Sequence, residues 1–399
     1  MTGIVAGAVA GFGVPTSDVD IFSDAVLLDP YPTYRELREQ GRAVWLNQLG
    51  MYIFTHFADV KNALADWETF TSAKGVTMND RMNAALQGGV LCSDNPEHDA
   101  IRKVLIRPLV PQAINKLRQR IATEAESLVE RLVAKGTFDA ATELAQYLPV
   151  TIVSELVGLP DGGRERMLDW AAANFQCFGP LNQRALNAFS TTEEMVNYAF
   201  TQCIPEKLKP GGWAAMIWEA ADRGELRHDQ CAPMMNDYLG PSLDTTIFAT
   251  SSAIWLFVNN PAEWDALRDN PALIPNAVNE VVRIESPIQN FSRVLTRNFE
   301  IDGVVLPSGS RVIVSYGAAN RDPSKWDNPD KFEVNRRAAD QLGFGHGVHQ
   351  CIGNNLARLE IAALLTALSK RVKRFTLGQN ERQIINVLRG FRRLDVTVH

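Results

Sequence analysis

The sequence predicts a mainly α fold with small β-sheets, built as one domain over residues 1–399. From about residue 97 to 272, apolar residues recur at intervals of three and four, which is the spacing of amphipathic helices. After residue 290, short strand-like runs alternate with the turn dipeptides Asp302-Gly303 and Ser308-Gly309, each of which predicts a hairpin. No repeat or low-complexity linker divides the chain, so the sequence contains no signal for a domain boundary.

The individual elements follow from start and stop signals. Residues 1–28 begin with small apolar residues interrupted by glycines, which predicts a flexible N-terminal arm. Prolines precede an amphipathic run at 29–41 that ends at a glycine, the usual limits of a helix. Residues 44–57 alternate and are rich in aromatic and β-branched side chains, as in a short hairpin. A long helix is predicted from Asn354, and strand-like residues close the chain.

Composition and charge exclude several classes of protein. The formal net charge is −6, whereas a nucleic-acid-binding protein needs basic residues to neutralise phosphates, so no nucleic acid partner is expected. The apolar run at the N-terminus is shorter than a bilayer span, so no membrane association is expected either. Five scattered cysteines suit reduced thiols better than a disulfide framework. Together these features predict a soluble, cytoplasmic protein.

The stretch "GFGHGVHQCIG" at 343–353 places a cysteine among four glycines and two histidines. Cys351 lies just before the predicted helix, where backbone N–H groups and the helix dipole favour a thiolate. Such a sulfur could be a buried thiol, a nucleophile or a metal ligand. His346 and His349 are near it in sequence, but a zinc site lacks a fourth ligand and a Cys/His pair lacks an orienting partner. A buried structural thiol and ligation of a heme by a single thiolate are therefore both open from these residues alone.

From Phe344 to Gly353 the stretch resembles, without a gap, the heme loop of the cytochrome P450 family, F-x-x-G-x-[R/H]-x-C-x-G. The resemblance covers essentially the whole chain. It implies a triangular-prism P450 fold in which heme b (iron protoporphyrin IX) lies between the I and L helices. It also implies that Cys351 is the axial ligand of the iron, and that Phe344, Gly345 and Gly353 belong to the heme-binding loop.

Two further segments resemble family motifs with structural consequences. Glu280 and Arg283 match the E-x-x-R motif of the K helix, although residues three apart could equally form a surface salt bridge. The resemblance instead implies that they are buried with Arg336. In "DNPEHDAIRKVL" (94–105), His98 and Arg102 are four residues apart and match the C-helix signature. The resemblance implies that four donors hold the two heme carboxylates: His98, Arg102, Arg293 and His349.

The segment "LGPSLDTTIFATS" (239–251) resembles the oxygen-binding part of the I helix. Asp244 and Thr245 match its acid–alcohol pair and are implied to be the catalytic residues that deliver protons. Pro241 and Ser242 replace the usual small pair. Because proline has no N–H, the carbonyl of Asp237 should lose its helical partner and the helix should kink there. The retained acid and alcohol favour use of O2, and the replaced pair leaves peroxygenase activity as an alternative.

The electron donors must be separate proteins, since the sequence has no flavin or iron–sulfur motif. The resemblance implies a ferredoxin and a ferredoxin reductase that draw on NAD(P)H. A basic docking face for the ferredoxin is predicted from four residues, each of which could also be an ordinary solvated charge: Lys103, Arg107, Arg358 and Arg371.

Residues 73–80, 174–184 and 285–293 resemble a bacterial subgroup that demethylates para-methoxybenzoates. The resemblance implies that Phe175, Phe178 and Phe291 sandwich a flat aromatic ring. We also assign to the substrate pocket Val90, Leu91, Leu239, Pro241, Ile288 and Phe391.

That subgroup holds the benzoate carboxylate with an arginine and serines, but the aligned positions here are Ala85, Gly88, Asn236 and Asp237. A buried carboxylate without cationic or donor partners is costly. The predicted substrate is therefore a neutral methoxyphenol of the guaiacol or syringol type, converted into a phenol plus formaldehyde. The alternatives are a para-methoxybenzoate demethylase, a terpene or fatty-acid hydroxylase, and a heme-thiolate sensor that does not turn over.

Overall fold

The computed structural model describes residues 13–160 and 162–399, and helices dominate it. Every helix in this part of the chain is too short or too polar to traverse a lipid bilayer. The α-helices are α1 Asp24–Leu28, α2 Tyr31–Gln40, α3 Phe57–Ala65, α4 Asp80–Ala85, α5 Glu97–Leu105, α6 Pro111–Lys135, α7 Ser154–Val157, α8 Met167–Cys177, α9 Gln183–Thr201, α10 Trp213–Asp222, α11 Cys231–Leu239, α12 Asp244–Asn259, α13 Pro261–Asp269, α14 Ile274–Glu285, α15 Tyr316–Ala319 and α16 Asn354–Ser369.

The strands form three small sheets. A six-stranded sheet has the order β1-β2-β3-β9-β6-β4, a three-stranded sheet has the order β10-β11-β5, and β7 and β8 form a separate pair. The strands are β1 Thr16–Ser17, β2 Val44–Leu46, β3 Met51–Phe54, β4 Phe70–Thr71, β5 Thr137–Asp139, β6 Asn290–Leu295, β7 Phe299–Ile301, β8 Val304–Leu306, β9 Arg311–Ser315, β10 Phe375–Ile384 and β11 Arg389–Val398. A mainly α fold with small sheets is therefore confirmed.

Two sequence-based expectations differ from the structure. Residues 1–12 of the predicted arm lie outside the described residues, but from Thr16 onward the arm is wrong, since β1 pairs with β2 and Ile21 and Phe22 are buried. The hairpin predicted at Ser308-Gly309 is also wrong. β8 pairs with β7, whereas β9 pairs with β3 and β6, because burial on both faces draws β9 into the larger sheet.

Two helices enclose the centre of the molecule. α12 is buried along most of its length, and α16 begins three residues after Cys351. The proline in the segment between α11 and α12 has the predicted effect in a stronger form. The helix is interrupted from Gly240 to Leu243 rather than merely bent, and the Ser242 hydroxyl donates to the carbonyl of Tyr238. The interruption opens the helical wall where the central cavity lies.

A buried ion-pair network fixes α14 to the segment that precedes the cysteine loop. Glu280 and Arg283 are both 0% exposed, and Arg283 Nε lies 2.6 Å from Glu280 Oε2. Arg336 Nε donates to Glu280 Oε1 at 3.0 Å. Arg283 also donates to the carbonyls of Asn320 and Pro329 at 2.7 and 2.8 Å. The burial predicted for these three charged residues is therefore present, and a surface salt bridge is excluded.

Candidate active site

The cysteine loop makes tight turns beside the central cavity, and its glycines allow these turns. Gly345 and Gly347 have φ angles of +70° and +71°, a region that disfavours side chains. A Cβ atom at Gly347 would also lie 2.4 Å from the carbonyl oxygen of Leu64. The Cys351 N–H donates to the Phe344 carbonyl at 2.8 Å, which closes the loop. As a result the Cys351 side chain lines the cavity beside Phe344, Gly345 and Gly353.

The electrostatics around Cys351 differ from the sequence-based expectation. Burial raises the pKa of the thiol, and this outweighs the N–H groups of Gly353 and Asn354 and the charges of Arg102 and Arg358, which lower it. The helix terminus alone therefore does not produce a thiolate. A bound cation would, because a coordinated thiol loses its proton. Within residues 13–160 and 162–399, no group of three or more His, Cys, Asp or Glu side chains is placed so that it could hold a metal ion.

A second part of the cavity wall carries positive charge without acidic partners. Arg102 and Arg293 line the cavity, and neither forms an ion pair with a carboxylate of the described residues. Arg293 is 3% exposed and donates to the Ser292 carbonyl at 2.8 Å, while Arg102 donates to the Gln350 carbonyl at 2.6 Å. A buried and a half-buried cation without counter-charges can accommodate an anionic group.

Two histidines extend this region. His349 lines the cavity. The ring of His98 lies 4.3 Å from the ring of His349, although His98 itself is behind the cavity surface rather than on it. The Nε2 atom of His98 is buried without a hydrogen-bond partner, whereas that of His349 lies 4.0 Å from Asp94 Oδ1, beyond hydrogen-bond distance. Burial lowers the pKa of His349 to about 4. The four predicted donors are thus brought together, three on the cavity wall and one beside it.

The interrupted helix presents the predicted acid and alcohol. Asp244 is the first residue of α12, and burial raises the pKa of its carboxyl to about 7. Its Oδ2 atom has no partner. Thr245 lines the cavity, and its hydroxyl donates to the Pro241 carbonyl at 3.3 Å. Asp244 does not itself line the cavity, so of the predicted pair the structure places only Thr245 on the cavity wall, with the Asp244 carboxyl buried behind it.

Three phenylalanines form an aromatic wall. The ring centroids of Phe175 and Phe178 are 5.4 Å apart, and those of Phe178 and Phe291 are 5.9 Å apart, with tilted planes. All three line the cavity together with four other residues of the predicted pocket: Val90, Leu91, Pro241 and Ile288. These distances are within the range in which aromatic rings attract one another.

Two residues assigned to the pocket from the sequence do not line it. Leu239 is fully buried at the end of α11 and does not line the cavity, whereas Asn236 and Asp237 of the same helix do. Phe391 packs against Trp255, with ring centroids 5.9 Å apart, and beneath the guanidinium of Arg382. Both assignments are therefore wrong.

Sequence reasoning missed several polar residues of the cavity wall, among them Asn174, Tyr316 and Glu360. Asn174 interrupts an apolar stretch directly before Phe175, which was a usable signal. Burial raises the pKa of Tyr316, and the charge of Arg293 acts to lower it. Burial raises the pKa of Glu360 to about 8, and its Oε1 atom has no partner. Of the positions aligned with carboxylate anchors, Asn236 and Asp237 line the cavity but Ala85 and Gly88 do not.

Comparison with known proteins identifies this arrangement. The cytochrome P450 family profile matches residues 215–391. Cytochrome p450 CYP199A2 of Rhodopseudomonas palustris is 35% identical over 97% of this chain and 95% of its own length. The chain belongs to the cytochrome P450 family. Erythromycin C-12 hydroxylase of Saccharopolyspora erythraea is 31% identical over 94% of this chain and 94% of its own length. The crystal structure of P450BioI in complex with an acyl carrier protein superimposes with a TM-score of 0.84, covering 94% of this chain at 24% identity.

Members of the P450 family bind heme b, and the cavity fits it. Cys351 would hold the iron, while Arg102, Arg293, His349 and His98 would hold the two carboxylates. The unpaired cations and the unpartnered Nε2 atom of His98 are the features that such a dianion satisfies. When bound, heme supplies the oxygen-activating chemistry of a monooxygenase. The phenylalanines of this chain make the cavity wall apolar, and Thr245 lies on the same wall.

Replacing Glu360 with glutamine should remove part of the pH dependence of stability. Its folded pKa of about 8 lies above its ordinary value of 4.5. The unfolded chain therefore loses this proton first, and the free energy of unfolding falls as pH rises from about 4.5 to 8. The contribution is on the order of a few kcal/mol. Denaturant titrations at pH 5 and pH 8 should show a smaller difference for Glu360→Gln. Glu130→Gln, at an exposed site on α6, should behave as wild type. If the difference in unfolding free energy between pH 5 and pH 8 were equal in wild type and both variants, the raised pKa of Glu360 would be contradicted.

Proposed function

We propose that this monooxygenase removes methyl groups from methoxy-substituted aromatic compounds, and that its preferred substrates are methoxyphenols of the guaiacol or syringol type. The observation that supports this proposal best is the aromatic wall of Phe175, Phe178 and Phe291 on the same cavity as Cys351 and Thr245. A flat ring can pack face or edge against these three rings, which brings a ring substituent into the reaction chamber. The relative named erythromycin C-12 hydroxylase indicates that family membership alone does not determine the substrate.

In the proposed demethylation, one oxygen atom of O2 enters a C–H bond of the methoxy carbon, and the other leaves as water after taking up two electrons and two protons. The resulting hemiacetal then breaks its bond between carbon and the aryl oxygen. The products are formaldehyde and a phenol. Asp244 and Thr245 are proposed as the route by which protons enter.

Charge favours a neutral substrate over a methoxybenzoate. Asp237 lies on the cavity wall, and the cavity's own cations, Arg102 and Arg293, are assigned to the heme carboxylates. A substrate carboxylate would therefore meet a wall without a free cation and with an acidic side chain. Its desolvation would not be compensated.

A ligand panel tests this proposal. Guaiacol and syringol are expected to convert the ferric protein from low to high spin at lower concentration than para-methoxybenzoate does. Phe178→Ala should weaken methoxyphenol binding about 10-fold, since ring pairs contribute about 0.5–1.5 kcal/mol beyond burial. Phe391→Leu, outside the cavity, is the matched control and should bind as wild type. Tighter binding of para-methoxybenzoate, or equal effects of the two substitutions, would reject the proposal.

Electrons are proposed to come from a ferredoxin and its reductase. Of the predicted docking residues, Lys103 is exposed on α5, but Arg107 and Arg371 form ion pairs with Glu225 and Glu126, and Arg358 is hydrogen-bonded to Asn279 at 3.1 Å.

Peroxide use is the second candidate function, because the Thr245 hydroxyl donates to the Pro241 carbonyl. Formaldehyde yield with NADH, reductase and ferredoxin should exceed the yield with hydrogen peroxide, and the reverse result would favour a peroxygenase.

A further inference from the structure

One wall of the cavity carries hydrogen-bond acceptors that the described residues leave unsatisfied. Asn174 is 3% exposed and its Oδ1 atom has no partner. The Oδ1 atom of Asn236 is also buried without one. Asp237 accepts a single hydrogen bond in the described part of the chain, from the Val90 N–H to Oδ2 at 3.0 Å. Unsatisfied buried acceptors are destabilising, so this wall is incomplete without a ligand.

Two glycines allow these polar groups to come together. A Cβ atom at Gly240, in the interruption between α11 and α12, would lie 2.5 Å from Asn174 Nδ2. A Cβ atom at Gly89 would lie 3.2 Å from Asp237 Oδ1. The absence of both side chains leaves the amide and the carboxyl in place on the cavity wall. The same cavity contains the aromatic wall.

The chemistry of this wall limits what it can bind. The buried atoms without a partner are oxygens and need donors, while the Nδ2 groups of Asn174 and Asn236 are donors that a ligand can also use. A carboxylate could accept from these Nδ2 groups, but it would bring no donor for the oxygens and would be repelled by an ionised Asp237. A hydroxyl can both donate and accept. An ammonium group would need an ionised counter-charge, and burial raises the pKa of Asp237 to about 7, so that the carboxyl is not fully ionised at neutral pH. A neutral hydroxyl meets the requirement without a charge.

We propose that Asp237, Asn174 and Asn236 form a binding site for the phenolic hydroxyl group of the substrate. This inference rests on the function proposed above and adds the residues that determine its specificity. The hydroxyl donates to the polar wall while the ring packs against the phenylalanines. The site therefore selects methoxyphenols over the corresponding diethers and carboxylates.

The test compares ligands that differ in a single group, with dissociation constants measured by calorimetry on the heme-loaded protein. 2-Methoxyphenol should bind about 10- to 100-fold more tightly than 1,2-dimethoxybenzene, which lacks the O–H donor. Asp237→Leu should reduce that ratio to about 3-fold or less. It should also tighten the binding of para-methoxybenzoate about 10-fold, since the repelling carboxyl is gone.

A second variant guards against a folding defect. Asp237→Asn keeps the shape and an acceptor for the Val90 N–H, and it should gain affinity for para-methoxybenzoate while retaining part of the preference for the phenol. A misfolded protein cannot gain affinity for a new ligand, so the gain itself supports the site.

The outcomes separate this inference from the proposed function. Equal binding of the phenol and the diether by wild type, or an unchanged ratio in Asp237→Leu, would overturn the hydroxyl site and leave aromatic demethylation standing. Tighter binding of 3-methoxybenzylamine than of 2-methoxyphenol would overturn it in favour of an ammonium site. Failure of every methoxy aromatic to bind would overturn the proposed function itself.

Discussion

Replacing Cys351 with alanine is expected to abolish the red-shifted Soret band that the reduced carbon monoxide complex of a thiolate-bound heme shows. The expectation follows from the site, in which Cys351 is the cysteine that lines the cavity beside Phe344 and Gly353. Among the residues that the structure describes, no other cysteine lines this wall to replace it as a thiolate ligand, and the thiolate is what promotes O–O cleavage. Oxygen-dependent activity should fall to the background level in the same variant.

The matched control for this experiment is Cys231→Ala. Cys231 is a free cysteine like Cys351, but it is buried on α11 with its pKa raised to about 11 by burial. This variant should keep the red-shifted band and its activity. If the band persists in Cys351→Ala, or disappears in Cys231→Ala, the assignment of Cys351 as the iron ligand is wrong.

Replacing Glu280 with alanine is expected to lower the free energy of unfolding by about 3–5 kcal/mol, because it leaves buried cations without a partner. Arg283 is 0% exposed, and Arg336 is 9% exposed. Both lose the same carboxylate, so the cost falls on two guanidinium groups. The measurement is a denaturant titration followed by circular dichroism.

The exposed ion pair between Arg120 and Glu155 provides the comparison. Its atoms are 2.8 Å apart, a distance similar to that in the buried pair, but the two side chains are 38% and 49% exposed. Glu155→Ala should therefore cost less than about 1 kcal/mol, as solvent-exposed pairs do. Comparable losses for Glu280→Ala and Glu155→Ala would show that burial is not what makes the Glu280 network important.

The glycine-rich cysteine loop and the ionic motif could be predicted from the sequence because each is local. The turns at Gly345 and Gly347 need glycine at fixed spacing, and Glu280 and Arg283 are neighbours on one helical turn. The effect of Pro241 was also predictable, since the missing N–H is a property of the residue itself. These are features in which chemistry and spacing leave one arrangement.

The direction in which a side chain points was decided only by tertiary structure. Phe391 lies on β11, and its ring packs against Trp255 of α12 and beneath Arg382 of β10 instead of lining the cavity. The packing of α5 likewise places His98 behind the ring of His349 and not on the cavity wall. Neither fact follows from spacing along the chain.

By itself, the sequence determined the family and the cysteine of the heme loop, because these depend on residue types at short, fixed intervals. Only the tertiary structure decided which polar groups share the cavity wall. Asn174 and Asp237 are 63 positions apart in the chain and converge through the packing of α8 against α11. The Oδ1 atom of Asn174 is unsatisfied because folding removes water from it, and no local pattern contains that information.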